Sequence, residues 1–207
     1  MECPRLIERP FPVVISAPSG TGKTSVVEKL LASDGRLLRA LTATTRPPRE
    51  GEVNGKDYLF LSMEEFEAKK KNGFFAESAL VHGYWYGSPR EQIDQGLHRG
   101  KWVVLNVDVQ GGLTIKAAYP QAVLIFLLPP SMEALEERLR GRRTDTEEVI
   151  RERLENARAE MAVAPQYDYV VVNDEIKACA SRLLAIICAE TSRTPRGLVQ
   201  PRDASGA

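Results

Sequence analysis

The stretch SAPSGTGKTS, Ser16 to Ser25, follows the apolar run PVVI and leads into VVEKLLA. The run is rich in β-branched residues and reads as a buried strand. Val26, Val27, Leu30 and Leu31 recur at helical spacing, so the segment after the turn reads as an amphipathic helix. Strand, glycine-rich turn, helix is the context in which the pattern G-x-x-x-x-G-K-[ST] cradles phosphate. Gly22, Lys23 and Thr24 fit that pattern, and Ala17 stands where its first glycine would. Alanine is the smallest residue after glycine and crowds the loop least. The chemistry needs backbone N–H groups aimed at anionic oxygens at the positive end of a helix, and Gly20 and Gly22 permit the tight turn. Ala17, Pro18, Ser19, Gly20, Thr21, Gly22, Lys23, Thr24 and Ser25 are therefore the candidate site for a nucleoside triphosphate. Lys23 is placed to reach the β- and γ-phosphates, and the Thr24 hydroxyl to ligate Mg²⁺ or one of its waters.

Three more apolar runs, WVVLNVDV (Trp102 to Val109), AVLIFLL (Ala122 to Leu128) and YDYVVVND (Tyr167 to Asp174), read as strands. Helical segments are expected at Gly111 to Tyr119 and Glu175 to Glu190. Continuous apolar strands alternating with helices imply an α/β fold whose parallel sheet is covered on both faces. Two stretches break the rhythm. From about 41 to 92 the segments DYLFLS, GFFAESALV and GYWYGS look like short antiparallel strands, with a helix near Met63 to Lys71. In that insertion Phe74, Phe75, Tyr84 and Trp85 are expected to pack as hairpin core. From about 131 to 158 two charged helical segments are joined by GRRTDT. The remaining core spans about 11–40, 93–130 and 159–190, within a single domain over residues 1–192. The polar, proline- and glycine-containing tail, 193–207, is expected to be disordered.

The 207 residues carry no net charge, so no global field draws nucleic acid or an anionic membrane. No apolar run approaches the roughly 20 residues of a membrane span, and MECPRLIERPFP lacks the apolar core of a secretion signal. Cys3, Cys179 and Cys188 form neither an even disulfide set nor a C-x-x-C pair, which fits a reducing cytoplasm. His82 and His98 are read as ordinary residues with no ligand partners at metal spacing.

A second motif narrows the acceptor. In TTRPPREGEVNGKDYLFL, Arg46 and Arg49 flank a stiff double proline, and two guanidinium forks on a rigid loop suit a phosphate monoester. Tyr58 adds a hydroxyl. This motif resembles the GMP-binding signature of guanylate kinases, and SAPSGTGKTS resembles the phosphate loop of that family, alanine included. The resemblance runs from about Phe11 to Glu190. It implies a P-loop NTPase-type sheet flanked by helices, with a small mixed or antiparallel GMP-binding insertion and a helical lid. It also implies Mg²⁺-dependent transfer of the ATP γ-phosphoryl group to GMP.

Carried onto this sequence, the resemblance assigns Arg46, Arg49, Tyr58 and Tyr86 to the GMP phosphate, with Glu52 in the same signature. Glu77 is assigned to the guanine N1 and N2 edge, Ser88 to the base, Thr42 to the region of O6 and Asp108 to that of the amino group. Lys23 and the lid arginines Arg138, Arg142 and Arg153 are implied as catalytic, and Asn173 as adenine-side. Two positions depart from the family pattern. Asn106 stands where an acid is usual, and Arg143 where glycine is common. A sugar-phosphate kinase on the same scaffold is one alternative, and a non-catalytic protein-binding module another. The base-reading set Glu77, Asp108 and Thr42 argues against the first, and an intact Gly22-Lys23-Thr24 with a furnished lid argues against the second.

Overall fold

The computed structural model describes residues 5–6, 9–81, 83–141, 146–193 and 199–200. Its elements run in chain order as β1 (Arg5–Leu6), β2 (Pro12–Ser16), α1 (Lys23–Leu31), β3 (Leu37–Arg39), β4 (Ala43–Thr44), β5 (Leu59–Phe60), α2 (Met63–Lys71), β6 (Phe75–Val81) and β7 (Tyr84–Pro89). There follow α3 (Arg90–His98), β8 (Trp102–Asn106), α4 (Val109–Ala118), β9 (Val123–Leu128), α5 (Met132–Arg140), α6 (Glu147–Met161), β10 (Tyr169–Val172), α7 (Ile176–Thr191) and β11 (Val199–Gln200).

Five strands form one parallel sheet in the order β10-β9-β2-β8-β3. The alternation of side chains along β2 divides the core. Val13 and Ile15 pack on one face with Val26, Val27 and Leu30 of α1 and with Leu183 and Ile187 of α7. Val14 faces the other side with Val103, Leu105, Leu124, Phe126, Ile93 of α3 and Ile115 of α4. A strand buried on both faces has no polar position to spare, which is why β2, β8 and β9 read as unbroken apolar runs. The central strand β2 lies between β8 and β9, so the chain reverses its direction of travel across the sheet beside it. In open α/β sheets ligands bind beyond the carboxyl ends of strands at such a switch point.

The insertion is a four-stranded mixed sheet, β5-β4-β7-β6, in which β4 and β5 run parallel and β6 and β7 form an antiparallel hairpin. Its small core is aromatic: Phe66 of α2 stacks on Phe75 at 4.5 Å between centroids and on Trp85 at 5.9 Å. Helix α2 starts at a reciprocal cap between Ser62 and Glu65. Tyr84, expected in this core, is exposed at the start of β7 instead. It neighbours the hairpin turn, where little chain exists to cover a ring.

The structure differs from the sequence-based expectations at five places. The strand expected through Val109 ends at Asn106, because the Asp108 side chain accepts from Gly111 N–H and caps α4. The fifth strand, β3, is only three residues and carries no periodicity to read. Helix α3 is mostly polar, REQIDQGLH, with Ile93 its fully buried apolar residue. Helix α6 runs unbroken to Met161, past the expected lid boundary at 158. In the tail, Val199–Gln200 pairs antiparallel with Arg5–Leu6. Residues 194–198 and 201–207, with His82, Arg142 and Arg143, lie outside the described residues.

Candidate active site

A cavity of about 350 Å³ opens at the carboxyl ends of β2 and β8. One wall is the glycine loop from Ala17 to Ser25; the facing wall brings Thr42, Tyr58, Glu77 and Tyr86 from the insertion. Asn106, Val107 and Asp108 form its floor, and Glu160 of α6 its remaining edge. Tyr58 brings the second motif to the same space as the glycine loop, while Arg46 and Arg49 lie outside the cavity wall.

The loop is shaped by its glycines and by what packs behind it. Gly20 has φ +90°, a left-handed conformation, and a Cβ there would lie 2.8 Å from Leu139 Cδ2 of α5. The Thr21 carbonyl accepts from Asn173 Nδ2 at 2.7 Å and from Arg138 Nη1 at 2.9 Å. Arg138 also donates to the Asn173 carbonyl at 3.2 Å. It therefore binds the back of the loop rather than lining the main cavity. These residues border a second, shallower hollow of about 560 Å³ that includes Lys29, Asp174 and Lys177. There the Thr21 hydroxyl and Asn173 Oδ1 are buried without a protein partner.

Lys23 is the first residue of α1, and its ammonium donates to the Val107 carbonyl at 2.6 Å. Burial lowers its pKa to about 8, against the opposing pull of Asp108, Glu160 and Glu77. Thr24 and Ser25 are exposed at the cavity lip. The Ser16 hydroxyl donates to the Asp108 carbonyl at 3.0 Å and ties the end of β2 to the floor.

Glu77 on β6 is 5% exposed. Its Oε1 accepts from the Ser88 hydroxyl on β7 at 2.6 Å. Burial raises its pKa to about 7; the Ser88 hydrogen bond works against that shift, and the Asp108 charge adds to it. The Gly111 position is open only to glycine, since a Cβ would lie 2.8 Å from Glu77 Oε2 and 3.0 Å from Asp108 Oδ1. A buried carboxyl, a hydroxyl and a second acid thus face the deep end of the cavity.

At the shallow end, Tyr58 and Tyr86 meet edge to face at 6.3 Å. Arg46 is buried and holds both oxygens of Glu52 with Nη2, at 2.8 and 2.9 Å. The Glu52 Oε2 also accepts from Arg49 N–H at 2.7 Å. Glu52 therefore faces the arginine loop and is not part of the cavity wall. Arg49 has an exposed side chain, and Arg153 lies half-buried on α6 away from the wall. Two residues escaped the sequence reading. Glu160 comes from the far end of α6, and burial raises its pKa against the pull of Lys23. Arg39 ends β3 and borders Tyr58. No local motif marks either; only the fold brings them near.

Among the described residues no group of three or more His, Cys, Asp or Glu could hold a metal. The Thr24 hydroxyl and the Asn106 amide beside the loop are uncharged, and the carboxyl groups of Asp108 and Glu160 in the same wall act on Lys23. That donor set fits a cation carried in on nucleotide phosphates rather than a protein-caged ion.

Residues 9–190 match the family model described as guanylate kinase. A guanylate kinase of Nitrosomonas europaea is 47% identical over 91% of this chain and 94% of its own length. One of Clostridium tetani is 43% identical over 92% and 91%. The crystal structure of guanylate kinase from Anaplasma phagocytophilum superimposes with a TM-score of 0.78 at 34% identity, covering 93% of this chain and 92% of that one. A match this long, over a cavity that the glycine loop shares with Glu77 and Tyr58, has one reading: the chain belongs to the guanylate kinase family.

Proposed function

We propose that the protein transfers the γ-phosphoryl group of ATP to GMP, giving ADP and GDP. The observation that carries this is the buried Glu77, held by the Ser88 hydroxyl, in the same cavity as the glycine loop and Lys23. A carboxylate there accepts from the adjacent N1–H and N2–H donors of guanine, and adenine offers no such pair. A site left with unpaired buried groups rejects the wrong base strongly. This argues against a sugar-phosphate acceptor, for which a base-reading acid has no use.

In this reading the loop amides and Lys23 hold the ATP phosphates, while Arg46, Arg49, Tyr58 and Tyr86 hold the GMP phosphate. Thr42, Ser88 and Asp108 complete the base pocket around Glu77. The second hollow takes the adenine side, where the unpartnered Asn173 Oδ1 and Thr21 hydroxyl offer polar contacts. The GMP phosphate oxygen attacks the γ-phosphorus in line, so no protein nucleophile and no covalent enzyme intermediate is needed. The chain's own work is to align the two phosphates, offset their charge and exclude water. Lys23 must leave the Val107 carbonyl to meet phosphate. Arg138, Arg142 and Arg153 supply lid charge, with Arg138 acting from the loop's back through Thr21. Mg²⁺ arriving with ATP neutralises phosphate charge, and Thr24 and Asn106 are the oxygens nearest to receive it or its waters. The substrates put the protein with the nucleotide pool of the cytoplasm.

A coupled ADP-release assay with ATP and Mg²⁺ tests this against GMP, AMP, UMP and ribose 1,5-bisphosphate in parallel. Turnover with GMP far above AMP is expected. Turnover with the sugar phosphate alone would overturn the reading. So would GMP binding without turnover, which would make the chain a binding module.

A further inference from the structure

The charge at the acceptor end does not come from the two signature arginines equally. Arg46 is held by both oxygens of Glu52, so that pair carries no net charge toward the cavity. Arg46 hydrogen bonds hold the Glu52 carboxyl below the usual range, which keeps the pair ionised and mutually neutral. Arg49 is exposed and largely screened by solvent. A phosphate monoester arrives near neutral pH with close to two negative charges, and one screened guanidinium is a poor match for it.

Arg39 lies beside Tyr58 as well. Its guanidinium carbon is 5.9 Å from the centroid of Tyr58, and that of Arg46 is 5.4 Å from it, so two cations share one ring. Arg39 Nη2 donates to the Asp57 carbonyl at 3.3 Å, which fixes the backbone just before Tyr58. The nearby Asp57 carboxylate is engaged with Val53 N–H at 2.8 Å. Among the described residues Arg39 makes no ion pair, and its Nε is buried without an acceptor. Burial and then Tyr86 push the Tyr58 hydroxyl up; Arg39 and Arg46 pull it down. The field of Arg39 therefore reaches the hydroxyl that lines the cavity.

We propose that Arg39 is a positioning residue of the acceptor site: it fixes Tyr58 through the ring and the Asp57 carbonyl, and supplies the unneutralised charge that favours the substrate's phosphate. The inference rests on the reading of this cavity as a GMP site and deepens it. Arg39 acts at the end of the short strand β3 and through Tyr58, outside the arginine signature.

Calorimetric titration of the full chain with GMP and with guanosine separates phosphate from base. Arg39→Met should weaken GMP binding about tenfold and leave guanosine binding within about twofold. Arg39→Lys, which keeps the charge, should recover most of the loss. In turnover the Met variant should raise the KM for GMP with kcat and the KM for ATP little changed. Equal weakening of GMP and guanosine, or no weakening of either, would overturn the proposal while leaving the proposed function standing. A circular dichroism melt distinguishes equal weakening from a misfolded variant, and a misfolded Arg39→Met shifts the same comparison to Arg39→Lys against Arg39→Gln. If the unsubstituted protein binds no GMP, the functional reading fails and this inference with it.

Discussion

At the scale of single residues, the site is built against its own stability. Glu77 is an acid held in the deep end of a cavity, beside a second acid, with one hydroxyl for company. Its folded-state pKa of about 7 lies above the ordinary carboxylate value. The stability it contributes is present below the unfolded pKa and is lost as pH rises through about 7. Replacing it with the uncharged Gln should therefore raise the melting temperature of the ligand-free protein at pH 8 and change it little at pH 5. The gain at pH 8 is expected at roughly 1–3 kcal/mol. The same change should collapse discrimination of GMP over AMP. Scanning calorimetry at the two pH values checks the first part, and an unchanged melting difference between pH 5 and pH 8 would contradict it. The wild-type acid should also make guanosine bind more tightly from pH 6 to pH 8, since guanosine carries no titrating phosphate to confuse the reading.

At the scale of elements, the loop and the lid share a joint. Gly20 combines a left-handed backbone with a contact so close that Leu139 and Leu135 of α5 occupy the space of any side chain. Gly20→Ala should destabilise by roughly 1–3 kcal/mol, from backbone strain and overpacking together. Urea unfolding in a Leu139→Ala background separates the two, because the second substitution opens the space. Perfect additivity of the two changes would show that the leucine contact plays no part. This joint was not legible in the sequence. The glycine loop was, because its pattern is local and chemically demanding. The strands β2, β8 and β9 were too, because burial on both faces excludes polar residues, and β10 was read from its run of valines although it lies at the sheet edge with Val170 and Val172 exposed. Strand β3 and helix α3 escaped because three residues hold no period, and because a mostly polar helix resembles a loop in composition. Glu160 and Arg39 escaped for a different reason: each is an ordinary charged residue until another element is folded against it. The Arg46 and Arg49 motif was legible as a stiff cationic loop, and Glu52 of the same motif holds the Arg46 guanidinium and the Arg49 N–H.

At the scale of the whole molecule, a mixed-sheet insertion and Glu160 of helix α6 border one cavity on a parallel sheet. Water must be kept from ATP while both phosphates are brought in line. The molecule is therefore expected to close when GMP and a non-hydrolysable ATP analogue are both bound. Small-angle scattering should record a smaller radius of gyration for that complex than for the free protein. Superimposable profiles would rule closure out.

The Thr21 carbonyl links this large scale back to the smallest. It is held by residue 138 and by residue 173, sequence separations of 117 and 152. The shape of the phosphate loop, although its motif is encoded in a few adjacent residues near the start, thus leans on side chains from the far half of the sequence. A chain ending before Asn173 would carry SAPSGTGKTS without one of the two bonds that hold the Thr21 carbonyl.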